Sequence, residues 1–552
     1  MFSKLWNFQG GNKRAVFKMF IATSLLTVIL LFGLTGCLED VIPAYEIHTV
    51  EDWNKAATSD DISDFHNTIK LMNDLDFSGK DFLTLDIQYC DFNGNGHALK
   101  NITINDVLET TYILTSESHD KKVYDLKIEN VIINSSIKDA DVSPFGFKEK
   151  SVDFSNVSIT GTINAPFAYS IGGFCSNAAN ADWGESFDNC TSELTINGGK
   201  VAGGFVGRGK TADIVDCENK STINTAEAAG GFVGELTGEY SYMVASGSKN
   251  SGNITSNGCA GGIIGTTGTS SVHTLKITGC ENAGAVSGAS NVGGIIGYQA
   301  GGWKRLVEYS IKNSTNNGTI ISNAKDEDAF VCLGGISGRQ VTGEIMGCVN
   351  NGEIKNGQYI SGGIVGYCLN IVSGCENNGR VEAAIGAGGI IGFAGDNKGT
   401  IRISHCINNA EVSADLFAGG IVGVADLNSG DSKTYDISKS FAKLYRQGVD
   451  ATLSIFNIKL DNQNFEDFIF NASKDILKLL TKSSKLQLAY CESNEKVSAT
   501  RDYAGGFIGI MLSCSVEKDE LATNTFSGEI SCCGIQSDGF TYVKAEDIYK
   551  ID

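Results

Sequence analysis

Proline and charge are both scarce in this chain. Only 3 of its 552 residues are proline and 19% are charged, whereas glycine is abundant at 67. Disordered chains are richer in proline and charge and poorer in apolar residues, so this composition argues against an unfolded polypeptide. Basic residues are in deficit, and the net charge of −21 argues against nucleic acid or an anionic membrane surface as a partner.

Metal-binding patterns are missing as well. No Cys-x-x-Cys pair occurs, and the adjacent Cys532 and Cys533 do not have ligand spacing. The histidines are scattered, and none belongs to the His-Glu-x-x-His sequence of a zinc peptidase helix. We therefore predict no metal and no cofactor. The six histidines are His48, His66, His97, His119, His273 and His405.

Residues 1–36 are predicted to be a targeting segment. Several basic residues precede Met19–Gly36, an uncharged and mostly apolar run that could just span a bilayer as a retained anchor. The run ends in Leu34-Thr35-Gly36-Cys37, which resembles the bacterial lipoprotein signal. That resemblance implies lipid attachment at Cys37. Because Leu38 rather than Asp follows the cysteine, it also implies the outer membrane or cell surface.

Ten copies of one repeat occupy most of the chain. Each copy has Gly-Gly-apolar-apolar-Gly, then Cys-x-Asn-x-Gly-x-(Ile/Val), as in GGIVG at Gly362–Gly366 and CENNGRV from Cys375. The second interval, from the Cys position to the next Gly pair, is 13 or 14 residues in every copy except the one at Ser314. The first interval, from the Gly pair to the Cys position of the same copy, varies in length. Insertions of this kind are tolerated at corners rather than inside strands. Short stacked units of this sort predict a solenoid with one fixed arm and one variable arm.

Three repeat positions predict columns of stacked side chains. The apolar position favours a strand facing inward, and the asparagine position predicts an amide ladder. Cysteine is replaced by Ser248 and Ser314 in two copies, which predicts small buried free thiols rather than disulfides. Glu376–Gly379 is predicted to be a turn with residues at positive φ, and the Gly pair a place of close approach. The apolar column is Ile196, Ile223, Ile254, Val286, Ile320, Ile354, Val381, Val412, Val497 and Ile530, and the asparagine column is Asn219, Asn250, Asn282, Asn316, Asn350, Asn377 and Asn408.

The repeats resemble the GLUG-type repeat of bacterial surface proteins over residues 171–530. Asp74–Gly79 and Asp91–His97 are similar to the opening coils found upstream of such repeats. The resemblance implies an all-β fold, a right-handed parallel β-helix, and an anchored or secreted protein involved in adhesion. Two copies depart from the pattern: Ser337 occupies an apolar position, and Gly172–Ser176 is degenerate.

Five segments are predicted. Residues 1–36 are the signal peptide, and 37–170 are an N-terminal cap with opening coils, where Trp53 would lie in a short capping helix. Residues 171–425 are β-helix repeats, and 485–552 are the final coils and C-terminal cap. Between them, 426–484 has helical apolar spacing and is predicted to be a helical insertion. It would either bind a partner or cover the flank of the solenoid.

The sequence argues against nucleotide binding and against polysaccharide cleavage. Gly204–Thr211 matches the phosphate-binding loop, but the helix that must follow such a loop is not predicted there. A polysaccharide lyase or hydrolase needs carboxylates clustered on one face. The loop carboxylates fall at different registers, so we predict a protein that is not an enzyme. These carboxylates are Asp213, Asp216, Asp326, Glu327, Asp328, Asp396 and Asp426, of which Asp326–Asp328 is also a weak candidate for calcium.

The predicted function is adhesin-like binding of a glycan or of a host or matrix protein by a lipid-anchored β-helix. The alternatives are a polysaccharide-degrading enzyme and a purely architectural surface protein. Variable loops on a rigid scaffold would present the binding surface. The sequence assigns no ligand site, although four aromatic residues in predicted loops could stack on sugar rings: Tyr298, Trp303, Tyr367 and Phe393.

Overall fold

The computed structural model is a parallel β-solenoid, in which successive turns of the chain add strands to four long sheets. This confirms the predicted all-β class and the stacking of the repeats. The described residues include one α-helix, Val50–Ala57, and no helix in them is long and apolar enough to span a membrane. The described residues are 43–59, 62, 67–105, 112–116, 118, 120–147, 151–178, 185–238, 241–268, 272–300, 308–325, 330–395, 401–426, 484–500, 503–511, 514–515, 523–532 and 535–537.

We number the sheets in the order in which a repeat turn enters them. Sheet 1 has 14 strands: Tyr45–Ile47, Thr68–Leu71, Asp91–Asn93, Lys121–Tyr124, Val152–Ser155, Glu185–Asp188, Thr211–Val215, Ser241–Ser246, Val272–Thr278, Glu308–Lys312, Glu344–Met346, Ile371–Ser373, Arg402–Ser404 and Gln487–Ala489. Sheet 2 receives two short strands from most turns: Leu75–Asp76, Ala98–Lys100, Thr103–Asn105, Lys127–Asn134, Ser158–Ala165, Thr191–Gly198, Glu218–Asn219, Thr222–Thr225, Lys249–Asn250, Ile254–Ser256, Glu281–Asn282, Val286–Gly288, Thr315–Asn316, Ile320–Ser322, Val349–Asn350, Ile354–Lys355, Glu376–Asn377, Val381–Ala383, Ile407–Asn408, Val412–Ala414, Glu492–Ser493, Val497–Ala499, Thr525–Phe526, Ile530–Cys532 and Ile535–Ser537.

Sheets 3 and 4 flank the Gly pairs. Sheet 3 has 11 strands, each repeat strand ending at the first glycine of a pair: Asp141–Val142, Ser170–Gly172, Val201–Gly203, Ala228–Gly230, Cys259–Gly261, Asn291–Gly293, Cys332–Gly334, Ile360–Gly362, Gly386–Gly388, Phe417–Gly419 and Tyr503–Gly505. Sheet 4 has 13 strands: Leu85–Asp86, Leu114–Thr115, Phe145–Gly146, Cys175–Ala178, Val206–Gly209, Val233–Leu236, Ile264–Thr266, Ile296–Gln299, Ser337–Gln340, Val365–Cys368, Ile391–Gly395, Val422–Asp426 and Ile508–Met511. A separate pair joins Ser484–Lys485 to Cys514–Ser515.

Equivalent repeat positions lie opposite one another in neighbouring turns. Ile196 pairs with Ile223, and Ile223 in turn pairs with Ile254. All ten side chains of the predicted apolar column are at most 2% exposed, which confirms that the column faces inward. Burial of each such side chain contributes about 1.5–3 kcal/mol to folding. The antiparallel pair Ile530–Cys532 with Ile535–Ser537 ends the described part of sheet 2.

The predicted asparagine ladder is confirmed. From Asn219 to Asn408 each Nδ2 donates to Oδ1 of the asparagine in the next turn, over 2.6–2.8 Å. The same side chains brace the turn that follows them: Asn377 Nδ2 donates to the carbonyl of Gly379, and Oδ1 accepts from its N–H. All seven side chains are fully buried. Because these polar groups bond to one another, burying them is not a loss of hydrogen bonding.

Positive φ does not occur where it was predicted. In the segment Glu376–Gly379 the backbone keeps negative φ, whereas Gly374, one residue before the Cys position, has φ 61°. The predicted positive φ is therefore wrong, although the chain does turn here. The physical reason is that both side-chain groups of Asn377 bond to the backbone of Gly379 and close the turn without a left-handed residue.

The Cys column has a hydrogen-bonding role that the sequence interpretation missed. Cys217 Sγ donates to the carbonyl of Val215, and Ser248 Oγ makes the equivalent bond to Ser246. The same side-chain atom accepts the N–H of the preceding turn, as Ser248 Oγ does from Cys217. In the last copy Asn524 takes this place and accepts from the N–H of Cys491. The position requires a small donor and acceptor, which explains why serine replaces cysteine.

The cysteines whose side chains the structure describes are free thiols. There are twelve of these, and all but the half-buried Cys259 are buried, as the column predicted. Burial raises the pKa of the Cys280 thiol to about 11 and that of Cys332 to about 12. Thiols of this kind remain protonated at neutral pH and are poor nucleophiles.

The Gly pairs allow sheets 3 and 4 to meet at a tight corner, as predicted. A Cβ on Gly204 would lie 2.1 Å from Asn219 Oδ1 and 2.2 Å from the carbonyl oxygen of Gly231. No larger residue fits there without displacing the ladder. The apolar residue after the pair points inward, and Phe174, Phe205 and Phe232 stack at 4.8 Å centroid separations.

The predicted capping helix covers the first turns. Thr49 and Asp52 form a capping box at its N-terminus. Trp53 is fully buried, and its Nε1 donates to the carbonyl of Leu83 over 2.9 Å. The helix therefore shields the start of the core from water, which is how solenoids protect an exposed edge.

Candidate functional site

Two of the four aromatic residues that could stack on sugar rings are buried. Tyr367 and Phe393 lie in strands of sheet 4 and are 1% and 4% exposed, with their rings stacked at 5.1 Å. They belong to a second apolar cluster that also contains Tyr359, Ile360 and Phe417. The prediction of a loop location is therefore wrong for both residues, because the outer faces of sheets 3 and 4 pack against each other.

Tyr298 is the one of these aromatics that keeps some exposure in the described residues, whereas Trp303 lies outside them. The guanidinium of Arg339 lies 5.3 Å from the centroid of Tyr298 and 4.9 Å from that of Tyr367. Arginine between two tyrosine rings stabilises the outer face of sheet 4 by cation–π attraction. This arrangement holds the strands together.

The segment resembling a phosphate-binding loop does not have the required structure. Val206–Gly209 is a strand of sheet 4, and Thr211 begins a strand of sheet 1 after the single residue Lys210. A phosphate loop requires a helix N-terminus at this place, whose free amides bind the phosphate. The interpretation of Gly204–Thr211 as part of the repeat is confirmed.

The charged cluster around His97 stabilises the opening turns. Asp74 contacts Lys100 at 2.9 Å and His97 at 3.2 Å. The hydrogen bond from Lys100 is the main cause that lowers the pKa of Asp74 to about 2. In the part of the chain that the structure describes, no group of three or more His, Cys, Asp or Glu side chains could hold a metal ion.

The carboxylates named from the sequence are not brought together where they are described. Asp213 lies on the outer face of sheet 1, and burial raises its pKa. Asp216 lies at the corner that follows, with φ 50°. Residues 326–328 and 396 lie outside the described residues, and so do Cys37 and almost all of 426–484. The lipid attachment and the helical insertion stay predictions.

One buried carboxyl was missed by the sequence interpretation. Glu185 is 1% exposed, and its Oε2 has no hydrogen-bond partner. In sheet 1, Glu185 pairs with Ala212 of the next turn. In the preceding turn Ser186 pairs with Asp153, so Glu185 lies opposite Val152. Burial raises the pKa of Glu185 to about 8, so the group is mostly neutral at pH 7. The signal available in the sequence was an acidic residue at a register that is otherwise apolar.

A shallow hollow of about 500 Å³ opens on the opening turns. Its wall includes Lys80, Asn101, Thr103 and Asn130. Asn130 donates to Asn101, and Asn101 to Asp76, so the amides of this wall are engaged in a short ladder. The hollow is polar and open to water, unlike the enclosed, mostly apolar sites that hold small ligands tightly.

Comparison with known proteins adds only a distant likeness. No family model matches the chain, and no curated protein matches it. Among solved structures, a crystal structure from Bacteroides ovatus described as a "putative immunoglobulin A1 protease" is similar at 18% identity, covering 56% of this chain and 77% of that one. Its TM-score is 0.27.

Proposed function

We propose that this protein is an adhesin-like β-solenoid of the cell surface, which binds a glycan or a host or matrix protein without catalysing a reaction. The observation that supports the proposal is where the length of the chain varies. Between sheets 1 and 2 only Asp216 and Cys217 separate Val215 from Glu218, and the same spacing recurs in the other repeats. Between sheets 4 and 1 the connection ranges from Lys210 alone to the long segment between Asp426 and Gln487.

A rigid body whose chain length varies mainly at one corner suits recognition, although one connection between sheets 2 and 3 is also long, from Ser322 to Cys332. The stacked columns use their polar groups internally, as the buried asparagines do, and leave little that could react with a substrate. Connections at the corner between sheets 4 and 1 are free to differ without disturbing any ladder. In repeat proteins, variable connections of this kind on a constant scaffold form binding surfaces.

The location is part of the proposal. A lipid on Cys37 would hold the protein at the outer membrane, and the GLUG-type repeats are typical of surface proteins. Mass spectrometry of the protein purified from membranes would find a diacylglyceryl-modified Cys37 at its N-terminus. Substitution Cys37→Ala should release the protein into the soluble exported fraction; retention of this variant in membranes would contradict lipid anchoring.

The function is tested by exposing the full-length protein in detergent to arrays of neutral glycans, anionic glycans and matrix proteins. Saturable binding with no change in the bound polymer is expected. A rise in reducing ends or in unsaturated sugar products during incubation would instead establish a polysaccharide-cleaving enzyme. The absence of binding to every class of probe would leave the architectural role.

A further inference from the structure

One column at the corner between sheets 1 and 2 has left-handed backbone in eleven turns. Nine of its residues are Gly, Asn or Asp, which adopt positive φ at little cost. The last two are His405 and Tyr490, with φ 54° and 55°. The full column is Asp125, Asn156, Asn189, Asp216, Gly247, Gly279, Asn313, Gly347, Gly374, His405 and Tyr490.

The two exceptional residues form an exposed platform of stacked rings. The centroids of His405 and Tyr490 are 5.0 Å apart, and the ring planes differ by 20°. Tyr490 is 58% exposed, so its ring does not gain the burial that normally compensates strain. The corner that recurs in every turn holds both residues in this conformation, and strained residues held by their surroundings are concentrated at functional sites.

An exposed amide ladder runs through the same turns. Asn378 donates to Asn351, Asn409 to Asn378, and Asn494 to Asn409, over 2.9–3.0 Å. Both N–H groups of Asn409 are engaged, because Nδ2 also donates to Glu376, and Oδ1 of Asn494 accepts from Ser527. A second lone pair on each of these two amide oxygens and the second N–H of Asn494 remain. Unlike the buried ladder, this one offers those groups to solvent. Asn494 lies four residues after Tyr490, across the strand Glu492–Ser493.

We propose that the ring platform of His405 and Tyr490, together with the exposed ladder at Asn409 and Asn494, is a subsite for a neutral glycan. The apolar face of one sugar ring would stack on Tyr490, and the hydroxyls of a neighbouring sugar unit in the same chain would bond to the amides. Glu492 is exposed between the two features and would repel a carboxylated or sulfated sugar. This inference rests on the proposed binding function and adds the site and the ligand class.

The test uses the full-length protein in detergent and four immobilised polysaccharides: mannan, laminarin, heparin and polygalacturonate. Wild-type protein should bind at least one neutral polymer and neither anionic one. Tyr490→Gly should weaken that binding by about tenfold or more. The same variant should melt at a higher temperature, because glycine relieves the strain at positive φ. Loss of binding together with a gain in stability cannot be explained by misfolding.

Two further variants complete the test. Tyr490→Trp keeps an aromatic face and should bind within a few-fold of wild type. Tyr89→Ser removes a tyrosine that is 73% exposed on the opening turns and should leave binding unchanged. Equal binding by wild type and Tyr490→Gly, or binding to protein probes alone, overturns this subsite while the proposed function stands. Failure to bind any glycan or protein probe overturns both.

Discussion

Asn350 donates its side-chain N–H to Oδ1 of Asn377 over 2.8 Å, and neither side chain has any exposed surface. Each of the five asparagines between Asn219 and Asn408 both donates and accepts in this way, so the column is a continuous chain of amide bonds through the core. Inside a medium of low polarity such bonds are strong, and a broken one leaves an unsatisfied group.

Removal of one ladder member should be costly. Asn350→Ala would remove one bond from Nδ2 of Asn316 and one from Oδ1 of Asn377, since both bonds end on Asn350. Each atom would keep only its bond within its own turn. We expect a loss of about 2–4 kcal/mol in the free energy of unfolding, measured by denaturant titration. Asn351→Ala is the matched control, because Asn351 is in an exposed ladder and should cost less than about 1 kcal/mol. Equal losses for the two variants would contradict this account.

Replacement of one buried serine by an apolar residue should stabilise the protein. Ser337 is fully buried, its Oγ has no hydrogen-bond partner, and it lies in register between Ile296 and Val365. Ser337→Val should therefore raise the free energy of unfolding by about 1–2 kcal/mol. Val365→Ser, the reverse change in the next turn, should lower it. A destabilising effect of Ser337→Val in the same denaturant titration would show that the hydroxyl has a role in the fold.

Stability should depend on pH through Glu185. Its pKa is raised from about 4.5 to about 8 in the folded protein, because the carboxyl is buried. Between these values the unfolded chain has lost the proton while the folded chain retains it, so rising pH favours unfolding by up to about 1.4 kcal/mol per pH unit. This destabilisation by Glu185 is absent below about pH 4.5, grows as the pH rises and is constant above about pH 8.

Glu185→Gln tests this dependence. Glutamine has nearly the same size and does not ionise, so the difference in unfolding free energy between variant and wild type should grow from pH 5 to pH 8. Both proteins carry the same histidines, whose titration cancels in the difference. A constant difference across this range would mean that Glu185 ionises normally in the folded state.

The cysteines should resist labelling in the folded protein. Thiols of the central column such as Cys375 are buried and donate to backbone carbonyls, here that of Ser373. Site-resolved mass spectrometry after iodoacetamide treatment should find Cys259 modified before them, because it is half-buried. In denaturant all should react without prior reduction. A requirement for reductant would show disulfides and contradict the free-thiol column.

The columns were predictable because parallel strands that pair in register place equal repeat positions of neighbouring turns opposite one another. Ile196, Ile223 and Ile254 have the same repeat position and therefore the same environment. The asparagine ladder follows from the same regularity. Glu185 was not predictable in this way, since its turn belongs to the degenerate first copy and no repeat rule assigns a partner to it.

Burial on the outer faces was beyond prediction from the repeats. Tyr367 and Phe393 follow Gly pairs at the expected spacing. Whether their side chains are exposed to solvent depends on how closely sheets 3 and 4 approach each other. The strained ring pair at His405 and Tyr490 was also not predictable from the sequence. The residue type differs from turn to turn at this position, and only the backbone shows that all of these residues have positive φ.

The amino-acid sequence alone determined that the chain stacks and which side chains share a column, because equal repeat positions come into contact whenever parallel strands pair in register. Only the tertiary structure decided which outward-facing columns are covered by a neighbouring sheet, which remain exposed to water and where the backbone is left-handed. Those properties depend on the distance between sheets that are far apart in the repeat, and no local pattern of residues encodes that distance.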